Sequence, residues 1–186
     1  KAGVMVANYG FNSSIRGNSI YDNGGLGIDL LLSEPGGPDP NDPLDTDEGP
    51  NNFQNFPVIT SVHTGELEYQ IRGVLNSYPN ATFEIDFFAN DTLDTTGYGE
   101  GKYYIGSTSV TTNGTGNATF DVPFDIGNDS GKYITATTTD SLGNTSEFSE
   151  SVQAKIGGKD LTVQYDAKWN LLSVPLKVDD GRKSFL

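Results

Sequence analysis

The chain has 186 residues, with 11 Lys+Arg against 25 Asp+Glu and a formal net charge of −14. Nucleic acid is held mainly by Lys and Arg neutralising phosphates, so this balance excludes a phosphate-backbone binder. There is no cysteine, which rules out disulfide staples, thiolate zinc sites and thiol nucleophiles; no apolar run reaches the roughly 18 residues of a membrane span.

The first signal along the chain is a repeat. Gly3-Val4-Met5-Val6 recurs as Gly27-Ile28-Asp29-Leu30, 24 residues later, with Ser14 to Asn23 between them. Short apolar alternations divided by Asn-Gly and Gly-Gly turns fit a solenoid whose coils stack. Asn8, Asn18 and Asn23 suit the corners, because Asn tolerates the left-handed conformation and bonds its own backbone. Two unrelated hairpin turns remain the plainer alternative. Asp29 alternates with Ile28 and Leu30, which points it outward as an exposed carboxylate.

Residues 33–56 change character: Pro35, Pro38, Pro40 and Pro43 interrupt any ladder, since each lacks the donor N–H. This segment reads as a junction loop. It also crowds acids, and Asp45-Thr46-Asp47-Glu48-Gly49 has the Asp-x-Asp-x-Gly spacing of calcium loops. Ca2+ takes six to eight oxygen ligands, so Asp42, Asp45, Asp47 and Glu48 are the candidate metal ligands, in a structural role. Position 12 counted from Asp45 is Phe56, not the Glu of a complete EF-hand loop, and a solvated acidic linker stays open as the other reading.

From Pro57 strand follows strand: Pro57–His63, Glu66–Leu75, Thr82–Ala89, Tyr103–Thr112, Ala118–Pro123, Lys132–Thr139 and Ser146–Ala154. Phe83, Ile85 and Phe87 alternate with Thr82, Glu84 and Asp86, which predicts one face in the core and one in water. Asn76–Asn80, Asn113–Gly116 and Asp140–Asn144 supply the turns. About seven strands in about a hundred residues is the count expected of an immunoglobulin-like sandwich.

Chemistry is sparse. His63 is the only histidine and reads as a turn residue. Asp140, Asn144 and Glu147 offer a second oxygen cluster or, more simply, a turn around Gly143. Gly97-Tyr98-Gly99-Glu100-Gly101 lacks the following helix and the Lys-Ser/Thr pair of a phosphate loop, so Asn90 to Lys102 is expected to be a mobile loop. Its Tyr98, with Tyr103 and Tyr104, is a candidate platform for stacking sugars, set against ordinary strand and loop tyrosines. Asp22, Asp29, Lys1 and Arg16 do not make the facing carboxylate pair of a glycosidase, and no catalytic residue is assigned.

These residues carry a resemblance. Gly17 through Leu30 resembles the last coils of right-handed parallel β-helix (pectin-lyase-like) proteins of bacterial surfaces, and Asn41 through Pro57 is similar to the junction after them. Phe87-Phe88-Ala89-Asn90, Gly97–Gly101, Ala136–Asp140 and Gly143–Ser149 resemble the trailing immunoglobulin-like module. Trp169 through Leu176 resembles the start of a further β module near the C-terminus of secreted bacterial proteins, often ahead of a type IX sorting signal.

The resemblance implies an all-β piece of a longer chain: β-helix coils in 1–32, a Pro/Asp-rich junction in 33–56, the sandwich in 57–154, and a linker with the start of another β module in 155–186. It also implies a secreted or cell-surface bacterial multidomain protein, in which this region is a non-catalytic structural, adhesion or spacer element with extracellular glycans or cell-surface components as partners. The alternative is the accessory C-terminal region of a carbohydrate-active enzyme, a polysaccharide lyase or hydrolase, whose groove lies upstream.

Overall fold

The computed structural model describes residues 1–31, 37–64, 68–125 and 132–156. The β module expected around Trp169 lies outside them. The chain is all-β and sandwich-like. Strands β1 (Val4–Ala7) and β2 (Ile28–Leu31) pair in parallel, with Val4 opposite Ile28 and Ala7 opposite Leu31. The register offset is the 24-residue repeat of the sequence. One such pair is a single rung contact and does not by itself make a β-helix.

The remaining strands are β3 (Val58–Thr64), β4 (Tyr69–Asn76), β5 (Thr82–Asn90), β6 (Tyr103–Thr111), β7 (Asn117–Phe124), β8 (Tyr133–Thr139), β9 (Val152–Gln153) and β10 (Lys155–Ile156). They form two four-stranded sheets, in the orders β10-β3-β4-β7 and β6-β5-β8-β9. Between the sheets lie Ile59, Val62, Tyr69, Ile71, Leu75, Phe83, Ile85, Phe87, Phe120 and Ile134, the inward members of the two-residue alternation. Phe87 meets the edge of Phe120 at 5.4 Å and tilts against Phe124 at 5.1 Å. The β5–β6 register slips by one residue after Phe87 opposite Gly106. Gly106 takes φ +145°, and a Cβ there would stand 2.5 Å from the Phe124 ring, so the bulge requires glycine.

Part of the outer face of the second sheet, over β8 and the second half of β5, is not in water, contrary to the alternation argument, whereas β6 stays largely exposed. Asp86 is 2% exposed, and β8 is buried at every position from Ile134 to Thr139. Residues 12–31 and the segment after β8 lie over this face. Arg16 grips Asp86 with Nε and Nη2 at 3.2 and 2.7 Å, and Gly17 N–H donates to the same carboxylate at 3.1 Å. Val6, Ile28 and Leu30 pack with Phe88 and Phe148 in a second apolar cluster. Burial of each such side chain stabilises by roughly 1.5–3 kcal/mol, so the parallel pair draws its core from the sandwich. Asp29 is likewise buried, at 8% exposure, because the loop carrying Asp39 runs beside β2; the exposure read from the sequence does not hold.

The expected strand Ser146–Ala154 is replaced by two short ones with a serine-rich run before them. Ser146 and Ser149 each donate a backbone N–H to β8, at Thr138 O (2.8 Å) and Ala136 O (2.9 Å). Each also accepts from the same residue's N–H on its hydroxyl, at 2.9 and 3.0 Å. Three residues of this run therefore span two of β8, which breaks the strand period and throws Glu147 and Phe148 away from the sheet.

Breaking the Arg16–Asp86 pair is expected to leave a buried carboxylate unpaired, a change that costs about 3–5 kcal/mol for fully buried pairs and less here, since the Arg16 side chain is 36% exposed. Arg16→Met should lower stability by about 2 kcal/mol in urea denaturation, with Asp86→Asn in the same chain recovering part of the loss. An unchanged midpoint in Arg16→Met would show the pair to be dispensable.

Candidate functional site

The described residues converge on a joint where the parallel pair, the 37–56 loop and the sandwich meet. Asn51 is its centre. It is fully buried and left-handed, at φ 45°. Its N–H donates to Gly10 O at 2.7 Å, its Oδ1 accepts from Ser13 N–H at 2.9 Å, and its Nδ2 donates to Ser13 O and Thr145 O, both at 2.9 Å. A single amide thus ties three segments and uses donors and acceptor together. Asn144 Oδ1 and Thr145 Oγ1 accept from Asn12 N–H and Ile15 N–H, at 2.7 and 2.9 Å. Left-handed φ values occur at Asn8, Asn12 and Asp22; Asn8 has the left-handed backbone foreseen for it, and Asn18 and Asn23 do not.

Two knots of acids sit in this joint. In the first, the carboxylate oxygens of Asp42, Asp45 and Asp47 lie within 4.8 Å of one another. Asp45 is fully buried. It accepts from Gln54 Nε2 at 2.6 Å, Ser77 Oγ at 2.5 Å and Asn55 N–H at 3.0 Å. Burial, augmented by Asp47 and Asp42, pushes its carboxyl up to about 7 despite those donors. Asp42 accepts from the Thr46 N–H and hydroxyl, and Asp47 and Glu48 are exposed. Glu48 does not join the cluster. The three carboxylates offer hard oxygens of the kind Ca2+ takes, fewer than the six to eight of a full shell.

The second knot is Glu147, 2% exposed, whose two oxygens accept from Leu30 N–H of β2 and Asp39 N–H of the loop, each at 2.9 Å. Burial, with Asp39 and Asp29 nearby, pushes Glu147 up to about 8, and burial with Asp29 and Asp47 pushes Asp39 up to about 6. Glu147 thus stands apart from Asp140 and Asn144. Those two form the simple turn, with Asn144 N–H and Nδ2 on the Asp140 carboxylate at 2.8 and 2.7 Å and Gly143 at φ +93°.

The three candidate tyrosines occupy three settings. Tyr98 packs edge-on to Phe56 at 5.6 Å, and Tyr104 edge-on to Phe88 at 5.7 Å. Tyr103 lies under the ammonium groups of Lys102 and Lys132, at 5.2 and 5.0 Å from its centroid. They do not share one flat surface. The second half of the Asn90–Lys102 loop is pinned: Gly101 and Ile20 exchange both backbone hydrogen bonds at 2.7 Å, and Gly99 N–H donates to Ser149 O at 3.0 Å. His63 is exposed on β3, away from the joint. Reasoning from sequence missed the roles of Asn51 and Asp86 and grouped Glu147 with Asp140 and Asn144; Asn51 stood in the junction loop, and Asp86 and Glu147 showed only as polar residues inside strand-like stretches. No helix among the described residues is long and apolar enough to cross a membrane. No protein-family model matches the chain, and comparison with curated proteins finds no significant match.

Asp45→Ala strands two buried donors, the Ser77 hydroxyl and the Asn55 N–H, while Gln54 Nε2 keeps Asn55 O and Ser77 Oγ; with each unmet group costing about 1–3 kcal/mol, it is expected to lower stability by about 2 kcal/mol or more in urea unfolding. Asp45→Asn should cost less, because the Gln54 amide can turn its buried Oε1, which has no partner, toward the new amide. Equal losses would refute this reading.

Glu147, Asp45 and Asp39 keep protons in the folded chain that the unfolded chain sheds above about pH 4.5. Their stabilising share is complete below that value and fades as pH climbs through about 6, 7 and 8. The melting temperature should therefore rise from pH 8.5 down to about pH 5; a flat or opposite trend contradicts these pKa shifts.

Proposed function

We propose that this chain is a non-catalytic structural region, a spacer or adhesion element, of a secreted or cell-surface bacterial multidomain protein, in which β-helix coils hand over to an immunoglobulin-like module. The observation that carries it is the shared apolar row. The last coil of a stacked solenoid must have its exposed row covered, and here Phe88 and Phe148 cover Val6, Ile28 and Leu30. The sandwich serves as the cap, and the polar network around Asn51 and Glu147 fixes its orientation. The parallel pairing at a 24-residue offset supports the coil half, and the split of consecutive strands between two facing sheets supports the module half.

A structural Ca2+ at the Asp42–Asp45–Asp47 loop belongs to the same proposal. An ion there would compete with the proton that Asp45 holds, so millimolar calcium should raise the melting temperature more at pH 8 than at pH 5.5, with EGTA reversing it. A melting temperature indifferent to both reagents removes the ion and leaves the hydrogen-bonded loop.

The capping role has its own measurement. Residues 1–31 and the sandwich should unfold in one transition, with hydrogen-exchange protection at Leu30 N–H lost together with that of β5 and β8. Prior, separate loss of the N-terminal protection would refute a cap. Release of reducing ends or unsaturated products from polysaccharides by this chain would refute the non-catalytic reading.

A further inference from the structure

Away from the joint, a cleft of about 360 Å³ opens between residues 21–23 and the loop 90–102. Small-molecule sites span about 300–1,000 Å³, so this is the size of a small ligand. We propose that it binds a neutral saccharide of one or two residues. This goes beyond the structural role and does not depend on it.

The argument begins with the walls. Tyr21 is 45% exposed and lines the cleft, with the Lys102 ammonium 5.3 Å from its ring centroid. With the ammonium over one side of the ring, the exposed remainder of Tyr21 sets apolar surface beside dense oxygen, the combination that a sugar's C–H groups and hydroxyls require. The cleft is firm at its back. Glu100, 7% exposed, accepts from Asn23 N–H at 3.0 Å through its side chain and from Asn90 Nδ2 at 2.8 Å through its carbonyl. Asn90 Oδ1 accepts from Lys102 N–H at 2.9 Å. A pre-set wall lowers the ordering cost of binding.

Charge then selects the ligand. Lys102 and Lys132 are both engaged with Asp91, with Lys102 Nζ at 2.6 Å from it. Asp22 carries no partner among the described residues, and Asp94 spends one oxygen on Thr96 N–H and hydroxyl, at 2.8 and 2.5 Å. The cleft therefore presents Asp22 and Asp94 as anionic acceptors beside the neutral side chains of Asn23, Thr92 and Ser151, and Lys102, the lysine that lines it, is already paired. Uronates, sulfated sugars and nucleotides meet repulsion. Hydroxyl groups find charge-assisted acceptors, which make hydrogen bonds roughly twice as strong as neutral ones.

The test is NMR titration of the 186-residue chain with cellobiose, mannobiose, galactobiose, digalacturonate and the glucosamine dimer. At least one neutral disaccharide should shift the amides of residues 21–23 and 91–95, with millimolar Kd. Tyr21→Ala should weaken it at least tenfold, Tyr21→Phe should keep it, and Asp94→Asn should weaken it severalfold with the melting temperature held. Digalacturonate should leave those amides unmoved. Binding by the glucosamine dimer alone would replace the saccharide with a cation site. Silence from all three neutral sugars, equal binding of digalacturonate, or a Tyr21→Ala chain that binds as before would each overturn the proposal.

Discussion

Much of this structure depends on how residues 144–149 pass β8. A regular strand there would place every second side chain on one face and leave the outer surface of the sheet flat. Instead Ser146 and Ser149 accept β8 amides on their hydroxyls, so hydrogen bonding is kept while the chain advances three residues for two. The residues gained are Glu147 and Phe148. Phe148 meets Phe88 edge-on at 5.3 Å and completes the apolar row of the parallel pair, and Glu147 collects two backbone amides from segments that are not part of the sandwich. Asn144 and Thr145, at the head of the run, receive the amides of Asn12 and Ile15. Short polar side chains substituting for a ladder are what turn a free sheet face into a docking surface.

The use of acids at this joint follows from the backbone. Chain segments that lie over a sheet without pairing to it bring N–H groups into the interior, and an unmet buried donor is costly. A carboxylate accepts several bonds at once: Glu147 takes two backbone amides, and Asp86 and Asp45 take one each beside side-chain donors. The penalty is desolvation. Arg16 offsets it at Asp86. At Asp45 and Glu147 the charges that act from nearby are those of other acids, and the group meets the cost by holding its proton instead. Two solutions to one problem stand within a single interface.

The sandwich strands were legible because their alternation is strict: Phe83, Ile85 and Phe87 point inward as read, and β3 to β8 fall within a few residues of expectation. The 24-residue repeat gave the register of the parallel pair outright. What failed was the outer face. Asp86 looks solvent-facing because alternation says only which side a residue is on, and cannot say that a distant segment covers that side. Ser146–Ala154 looked like a strand because Phe148, Val152 and Ala154 fall an even number of residues apart, with polar Ser149, Ser151 and Gln153 on the other parity; the bonding of its serine hydroxyls depends on tertiary geometry. The acids of the junction loop were legible as a cluster, but not that Asp45 turns inward and Glu48 outward. Tyr98, Tyr103 and Tyr104 are close in sequence, and the bulge at Gly106 and the packing of Phe56 and Phe88 send them to separate settings.

Among the described residues the joint is fastened chiefly by dipoles and apolar contact, with Arg16 gripping a carboxylate inside it. Mobile ions screen exposed charges over a length of about 8–10 Å at moderate salt, shorter in a brine, and barely touch buried amide bonds. They do relax the mutual repulsion of a surface carrying −14. A brine that would loosen a joint built of surface ion pairs therefore leaves this one intact and eases the strain around it.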